Sequence, residues 1–339
     1  MATQTIRIGV IGAGRIGTVH AQTLCWRIPD ARVSVIADPN LAAAQKLASE
    51  LGVPRAVADH REVLDDREID AVLICSSTDT HARLVTEAAQ AGKHIFCEKP
   101  LDLDLARIDE VLHVVKQAGV KLQLGFNRRF DPDFRAIKER IAARAIGQPY
   151  LLRITSRDPA PPPIAYLKGS GGLFLDMTIH DFDMARYLLG EVEEVYTSAG
   201  VLVDPAIGAA GDVDTALITL RFASRALGTI DNCRRAVYGY DQRVEVLGSE
   251  GMLANGNHLG ALVVRHDAQG SHEPPLLNFF MQRYTEAFAA EIRAFVDAIA
   301  RDEEPPVGGE DGRRSVVLGY AALLSFKEHR PVRVSEIDR

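Results

Sequence analysis

Short runs of apolar, largely β-branched residues alternate with longer amphipathic stretches through the first third of the chain. Runs of this kind are typical of buried strands, and the stretches between them have helical spacing. The predicted strands are 6–11, 33–37, 71–75, 94–97 and 121–126, and the predicted helices include 41–51, 80–91 and 105–118. Strands that alternate with helices predict a doubly wound parallel sheet covered on both faces, an α/β fold.

The pattern changes after residue 149, where strand-like runs follow one another with few helices between them. Such a series predicts an open, mainly antiparallel sheet with helices on one face, an α+β fold. The predicted strands are 151–157, 192–203, 214–222, 226–232, 243–247 and 261–265, and the predicted helices are 285–300 and 315–326, with a Pro/Gly-rich connection at 304–312. We therefore predict two domains, residues 1–126 and residues 127–339.

The composition is that of an ordinary globular protein, because 47% hydrophobic and 25% charged residues exclude disordered and fibrous classes. A net charge of -7 argues against nucleic acid or an anionic membrane as the main partner. The first apolar run is needed as a strand rather than as a signal peptide, and none approaches the roughly 18 apolar residues of a membrane span. The four cysteines are scattered, which favours a reduced compartment. These features predict a soluble cytoplasmic protein.

A glycine-rich loop, GAGRIG at residues 12–17, follows the first predicted strand. Such a run alone is often an ordinary turn, but this one also opens a predicted helix, and Asp38 ends the second strand. Gly12 permits the tight turn, Gly14 lets the backbone approach a pyrophosphate, and Gly17 allows close packing of helix on strand. The helix N-terminus favours the phosphate charge. The loop therefore predicts a dinucleotide-binding Rossmann domain.

The residue at the end of the second strand indicates which dinucleotide binds. The Asp38 carboxylate accepts hydrogen bonds from free ribose hydroxyls and repels a 2′-phosphate, and no arginine occurs at residues 39–41 to offset that repulsion. We therefore predict NAD rather than NADP. The predicted cofactor-binding residues are Gly12, Gly14, Arg15, Ile16, Gly17, Asp38, Ser76, Ser77, His81, Glu98 and Lys99.

Glu98-Lys99-Pro100 directly follows the predicted strand 94–97. Most such segments are only polar loops, but ligands of doubly wound sheets bind at the carboxyl ends of the strands. Pro100 has a fixed φ and biases Lys99 toward an extended conformation, which helps to aim its amine. The segment is therefore a candidate functional loop.

The second candidate is the helix predicted after Gly172, where Asp176, His180, Asp183 and Tyr187 form one polar stripe. A solvated helix face is the simplest interpretation of such a stripe. A divalent metal site is another, because Asp, His and Asp on one face can serve as ligands. Hydride transfer with a lysine available needs no metal, so we predict none.

These motifs together identify a family resemblance. From Ile6 to about Val334, the chain resembles the glucose–fructose oxidoreductase/inositol dehydrogenase family (Gfo/Idh/MocA), and within it the inositol dehydrogenases. The general motifs are the glycine loop, Glu98-Lys99-Pro100, and the helix with Asp176 and His180. Segments 125–131, 176–183 and 236–243 are more typical of the inositol dehydrogenases.

The resemblance implies the catalytic set Lys99, Asp176 and His180, with either His180 or Lys99 as the base. It also implies that Arg128 and Tyr284 line the substrate pocket. Asp158 stands where asparagine is expected, and a carboxylate keeps the acceptors of an amide but loses its donors, which bears on which polyol is bound. The predicted substrate-binding residues are Lys99, Arg128, Asp158, Asp176, His180 and Tyr284.

The implied activity is NAD-dependent oxidation of a secondary alcohol of a cyclic polyol, with myo-inositol giving 2-keto-myo-inositol and NADH. The first alternative is a scyllo-inositol or pyranose sugar dehydrogenase of the same family. The second is a cofactor-binding regulator without catalysis, which the joint presence of Lys99, Asp176 and His180 disfavours. An open sheet with one uncovered face predicts self-association, and the resemblance points to a homotetramer.

Overall fold

The computed structural model describes residues 5–338. Contacts divide the chain into two compact units, of which the first is Met1–Phe130 with Glu286–Arg314 and the second is Asp131–Thr285 with Ser315–Arg339. A single cut after residue 126 does not describe this division, because residues 286–314 return to the first unit. The physical reason is an apolar stripe in the returning segment: Ile292, Phe295 and Val296 are buried in the same core cluster as the first strand.

The strands are β1 (Ile6–Ile11), β2 (Ala31–Ala37), β3 (Ala56–Val57), β4 (Ala71–Ile74), β5 (His94–Cys97), β6 (Leu122–Leu124), β7 (Pro149–Arg157), β8 (Val192–Gly200), β9 (Thr215–Phe222), β10 (Leu227–Cys233), β11 (Asp241–Gly248), β12 (Met252–Ala254), β13 (Arg265–Asp267), β14 (Gly270–His272) and β15 (Val332–Arg333). The α-helices are α1 (Arg15–Arg27), α2 (Leu41–Leu51), α3 (Arg61–Leu64), α4 (Thr78–Gln90), α5 (Leu105–Ala118), α6 (Pro132–Ala142), α7 (Ile164–Ser170), α8 (Thr178–Leu189), α9 (Pro205–Ala209), α10 (Phe280–Arg283), α11 (Thr285–Arg301) and α12 (Gly309–Glu328).

The sheet of the first unit has the order β3-β2-β1-β4-β5-β6, and its neighbouring strands pair in parallel. The predicted doubly wound parallel sheet is confirmed. Its strand order reverses between β1 and β4, and ligands of such sheets bind in the crevice at that point, beyond the carboxyl ends of the strands. The loops after β1, β4 and β5 therefore lie at the edge where a ligand is expected.

The larger sheet of the second unit has the order β12-β11-β7-β10-β9-β8-β15. Its strands pair antiparallel except for β7 with β10, which confirms the mainly antiparallel prediction. Burial alternates along β9, so that Ala216, Ile218 and Leu220 face inward while Leu217 faces outward. Helix α8 packs against β7 and β10. One face of this sheet is therefore covered by helix, and apolar side chains remain on the other.

Two predicted elements differ from the structure. The strand predicted at 261–265 is wrong: Leu262 and Val263 are 91% and 78% exposed, because no layer of the second unit faces them within the described residues, and the chain instead forms the hairpin β13–β14. The helix predicted at 315–326 begins earlier, at Gly309. A Cβ on Gly309 would come within 2.1 Å of the Leu112 side chain, so glycine here serves close packing rather than a turn. Among residues 5–338, no helix is long and apolar enough to cross a membrane.

Candidate active site

The glycine loop after β1 has three glycines with different physical roles. Gly12 has φ +107°, and a Cβ there would lie 2.7 Å from the carbonyl carbon of Cys75. A Cβ on Gly17 would lie 1.9 Å from the Gly12 oxygen. Around Gly14, by contrast, no described atom lies within 4 Å of the Cβ position. Gly12 and Gly17 are thus required by the fold itself, while Gly14 leaves open space beside the backbone.

The N-terminal end of α1 and the C-terminal end of β2 meet at this loop. Gly14 is the N-cap of α1, and within residues 5–338 no side chain caps it and no acidic residue occupies the first turn. The Asp38 carboxylate accepts the backbone N–H of Ala13 at one oxygen and that of Asn40 at the other, each at 2.8 Å. Each carboxylate oxygen keeps a further lone pair for a hydroxyl. A helix N-terminus without a side-chain cap, beside a fixed acceptor, fits a dinucleotide pyrophosphate and its ribose.

A buried histidine connects the loops after β4 and β5. His81 is 1% exposed, and its Nδ1 lies 2.8 Å from the Pro100 carbonyl oxygen while its Nε2 lies 3.1 Å from that of Ser76. The Ser76 hydroxyl lies 2.6 Å from that of Thr80, and Ser77 is exposed at the N-cap of α4. The imidazole thus holds two backbone segments together, and a direct contact between His81 and the cofactor stays a prediction.

Asp176 is held at both carboxylate oxygens by residues that sequence reasoning missed. Tyr166 donates its hydroxyl proton to Oδ1 at 2.9 Å, and Arg234 lies with Nη2 3.4 Å from Oδ2. The Arg234 side chain is 1% exposed, and that of Asp176 is 12% exposed. Asp176 is therefore presented as a fixed acceptor rather than as a mobile surface group.

The polar stripe of α8 is not a solvated face. Asp183 is 1% exposed, and His180 and Tyr187 are half-buried. A π-helical turn, Leu173–Met177, precedes α8 and carries Asp176. Such turns occur often at functional sites. The predicted helix is thus confirmed, and its polar side chains lie largely inside the protein.

A buried amide fixes α8 to the sheet of the second unit. Thr178 donates its hydroxyl proton to Asn232 Oδ1 at 2.5 Å. Asn232 Nδ2 in turn donates to Asp181 Oδ2 at 2.8 Å and to the Ser156 carbonyl at 3.3 Å. Buried polar networks of this kind specify one arrangement of the elements that they join. The helix that carries His180 is therefore held in register with β7 and β10.

The parallel pairing of β7 with β10 brings two residues to one sheet edge. One of them, Asp158, was predicted from the sequence, and the other, Arg234, was missed. Asp158 and Arg234 each follow their strand directly, and the Asp158 N–H donates to the Cys233 carbonyl at 2.9 Å. Since Arg234 contacts Asp176, the second unit brings Asp158 and Asp176 to the same edge.

Tyr284 and Arg128, the other residues assigned to the substrate, are buried within their units. Tyr284 is 2% exposed, with its ring 6.0 Å from that of Tyr240 and 5.0 Å from the Arg283 guanidinium. Arg283 forms a buried ion pair with Asp131. Arg128 is 5% exposed in a 3₁₀ turn of the first unit. Their roles toward a substrate stay predictions.

A metal site on the α8 stripe requires three ligand atoms close to one another. Among residues 5–338, the group of His, Cys, Asp or Glu side chains close enough to hold an ion is His20, Glu98 and Glu291, not the α8 stripe.

Comparison with known protein families decides the family. Residues 6–126 match the model of an oxidoreductase family with an NAD-binding Rossmann fold. Residues 134–254 match the GFO/IDH/MocA C-terminal domain. The chain belongs to the Gfo/Idh/MocA family of oxidoreductases. The resemblance drawn from the glycine loop, Glu98-Lys99-Pro100 and the α8 motif is thereby confirmed.

Three members of the Gfo/Idh/MocA family are similar to this chain over nearly its whole length. Myo-inositol 2-dehydrogenase of Thermotoga maritima is 52% identical, over 98% of this chain and 99% of the relative. Inositol 2-dehydrogenase of Rhizobium meliloti is 48% identical, over 98% and 100%. The crystal structure of scyllo-inositol dehydrogenase from Lactobacillus casei, with bound NAD(H) and scyllo-inositol, has a TM-score of 0.91 at 32% identity and covers 98% of this chain and 99% of that one.

Proposed function

We propose that this protein is an NAD-dependent inositol 2-dehydrogenase, which oxidises myo-inositol at C2 to 2-keto-myo-inositol (scyllo-inosose). The observation that carries the proposal is 52% identity, over 98% of the chain, to a relative named for this activity. The N-terminus of α1 at Gly14, which has no side-chain cap among the described residues, and the fixed Asp38 carboxylate support a cofactor site here.

The proposed catalytic set is Lys99, Asp176 and His180. Oxidation of an alcohol requires loss of the hydroxyl proton, which an imidazole such as His180 accepts near neutral pH. A protonated Lys99 donates a hydrogen bond to the substrate oxygen and stabilises developing negative charge. Asp176, held by Tyr166 and Arg234, accepts a hydrogen bond from a neighbouring hydroxyl. NAD, when bound, supplies the two-electron acceptor for the carbon-bound hydrogen.

Substrate specificity is tested by a panel of polyols. Kinetics with NAD are measured for myo-inositol, scyllo-inositol, chiro-inositol, glucose and xylose, and we expect the highest kcat/KM with myo-inositol. Its C2 hydroxyl is axial, so the hydrogen that is transferred is equatorial, a geometry that scyllo-inositol does not offer. Half-buried Asp158 and buried Arg128 are expected to discriminate sharply, because an analogue lacking one hydroxyl leaves its partner unpaired. A lead of about tenfold for scyllo-inositol or a sugar would contradict the myo-inositol assignment and favour the alternative substrate.

Cofactor preference gives a separate prediction. We expect kcat/KM with NAD to exceed that with NADP by about tenfold or more, because the Asp38 carboxylate repels a 2′-phosphate. The variant Asp38→Ser retains a hydroxyl acceptor without the charge. We expect it to lower the ratio of kcat/KM with NAD to kcat/KM with NADP. Equal use of the two cofactors by the wild type would exclude this role of Asp38.

We further propose that the protein is a homotetramer, in which a second copy of the chain covers the open face of the second unit's sheet. Leu217, Leu227 and Leu151 are 62%, 47% and 44% exposed on this sheet. Light scattering at micromolar concentration is expected to give about four times the 37.0 kDa of one chain. Leu217→Lys is expected to lower that mass, whereas the control Leu262→Lys, on an exposed loop, leaves it unchanged. A wild-type monomer would exclude the assembly.

We also propose that the enzyme acts in the cytoplasm, in inositol catabolism. The cysteines are free, with Cys75 and Cys97 buried, as in proteins of reducing compartments.

A further inference from the structure

Three titratable side chains meet inside the first unit, behind the loop that carries Lys99. His20 from α1, Glu98 after β5 and Glu291 from α11 have ligand atoms that all lie within 4.8 Å of one another. The His20 Nε2 lies 2.6 Å from Glu98 Oε1 and 4.0 Å from Glu291 Oε1. The side chains of His20 and Glu291 are 0% exposed, and that of Glu98 is 13% exposed.

The buried atoms of this cluster determine where its protons lie. Within residues 5–338, His20 Nδ1 and both carboxylate oxygens of Glu291 have no hydrogen-bond partner. The His20 ring makes T-shaped contacts with the rings of Phe96 and Phe288, at centroid distances of 5.1 and 5.6 Å. The imidazole proton therefore sits on Nε2 and is donated to Glu98. An ionised Glu291 would be a second buried negative charge without a compensating partner, which is strongly unfavourable.

A shared metal ion is the other arrangement that such a cluster permits. Zinc ligands at 2.0–2.2 Å in a tetrahedron hold their ligand atoms roughly 3.3–3.5 Å apart. The 2.6 Å contact between His20 and Glu98 is too short for two ligands of one ion and has the length of a charge-assisted hydrogen bond. The distances thus favour a proton over a metal.

We propose that Glu291 holds a proton at neutral pH beside the His20–Glu98 pair, and that His20 and Glu291 are positioning residues for Glu98. The Glu98 carboxylate is confined between His20 and the backbone of Gly125, where a Cβ would come within 3.0 Å of Oε2. Glu98 directly precedes Lys99, so a displaced carboxylate displaces the lysine. This positioning role rests on the proposed function, in which Lys99 meets the substrate.

The electrostatic surroundings agree with a protonated Glu291. Burial, followed by the charge of Glu98, raises the pKa of the Glu291 carboxyl well above its usual range. The titratable groups facing the cluster are the thiols of Cys75 and Cys97, and burial raises the pKa of each well above its usual range. The basic side chain nearest to this carboxyl in the cluster, His20, has its Nε2 2.6 Å from Glu98 and 4.0 Å from Glu291, so its hydrogen bond goes to Glu98.

Protonation of Glu291 has a measurable linkage to stability. The carboxyl is ionised in the unfolded chain above about pH 4.3 and protonated in the folded one, so folding takes up a proton and stability falls as pH rises toward the folded pKa. Glu291→Gln removes this dependence. In urea denaturation between pH 5.5 and 8.5, the ratio of the wild-type to the variant unfolding constant is expected to rise by up to about tenfold per pH unit. The control Glu286→Gln, on the same helix and 66% exposed, gives a flat ratio.

Infrared spectroscopy tests the proton directly on the native protein. The spectrum of the wild type minus Glu291→Gln at neutral pH is expected to contain the C=O stretch of a neutral carboxylic acid. Its absence, or a flat stability ratio, overturns the proposal. The proposal is also overturned if one divalent ion per chain survives dialysis in the wild type but not in Glu291→Gln. We expect EDTA to leave activity intact.

Kinetics of His20 variants test the positioning role. His20→Leu removes the donor to Glu98 and is expected to lower kcat about tenfold or more, with KM for the polyol nearly unchanged. His20→Gln places an amide N–H near the position of Nε2 and is expected to recover most of the loss. Equal losses in the two variants overturn the positioning role. A wild type that oxidises no polyol instead contradicts the proposed function. The infrared spectrum then still tests whether Glu291 is protonated.

Discussion

Replacement of His180 or Lys99 by alanine is expected to lower kcat by about 10²-fold or more, with NAD binding largely retained. His180→Ala removes the proposed proton acceptor, and Lys99→Ala removes the donor to the substrate oxygen. Steady-state kinetics with myo-inositol measure the loss, and fluorescence titration with NADH measures cofactor binding. The matched control is Tyr187→Phe, which lies on the same stripe of α8 and keeps its ring packing, and for which we expect normal turnover.

Near-normal turnover in either alanine variant would remove that residue from the catalytic set. The pH dependence then separates the two candidate bases. If the acid limb of kcat/KM disappears in His180→Asn, the imidazole is the base; if it disappears in Lys99→Met, the amine is.

The second large effect is expected at the glycine loop. Gly17→Ala places a methyl group 1.9 Å from the Gly12 oxygen, so α1 must move away from β1. Overpacking of this kind costs about 1–3 kcal/mol of unfolding free energy, and a backbone obstacle yields less readily than a side chain. We expect a lower Tm together with loss of NAD binding by about 10²-fold.

Gly14→Ala distinguishes an effect on protein stability from an effect on NAD binding at this loop. No described atom lies within 4 Å of its Cβ, and its φ of -74° suits alanine, so we expect an unchanged Tm. The methyl group would nevertheless occupy the space beside the pyrophosphate, and we expect weaker NAD binding in calorimetric titration. Normal NAD affinity in Gly14→Ala would show that the cofactor does not approach this backbone.

The features that sequence reasoning found are those encoded by neighbouring residues. The glycine loop, its strand and its helix lie within residues 6–27, and Asp38 follows the next strand. Parallel strands of alternating β–α units place their carboxyl ends at one edge by topology alone. The doubly wound sheet and its ligand edge were therefore predictable without knowledge of any long-range contact.

The features that it missed depend on contacts between distant residues. Arg234 and Arg235 are adjacent and identical in type, and only the fold shows that Arg234 turns inward to Asp176. His20 and Glu291 lie on helices far apart in sequence, and nothing local marks either as a partner of Glu98. At 261–265 an apolar run predicted a strand. A buried strand also needs another layer of structure to pack against it, and the local sequence does not show whether such a layer is present.

The return of residues 286–314 to the first unit also affects synthesis of the protein. The core cluster around β1 includes Ile292, Phe295 and Val296, so the N-terminal sheet emerges from the ribosome long before its last packing partner. At about 5–20 residues per second, the interval between β6 and α11 lasts roughly 10–30 s. During that time the apolar surface that α11 later covers stays open to water. Nascent chains of this protein are therefore expected to bind chaperones late into translation, and to become protease-resistant in their N-terminal part only when almost complete.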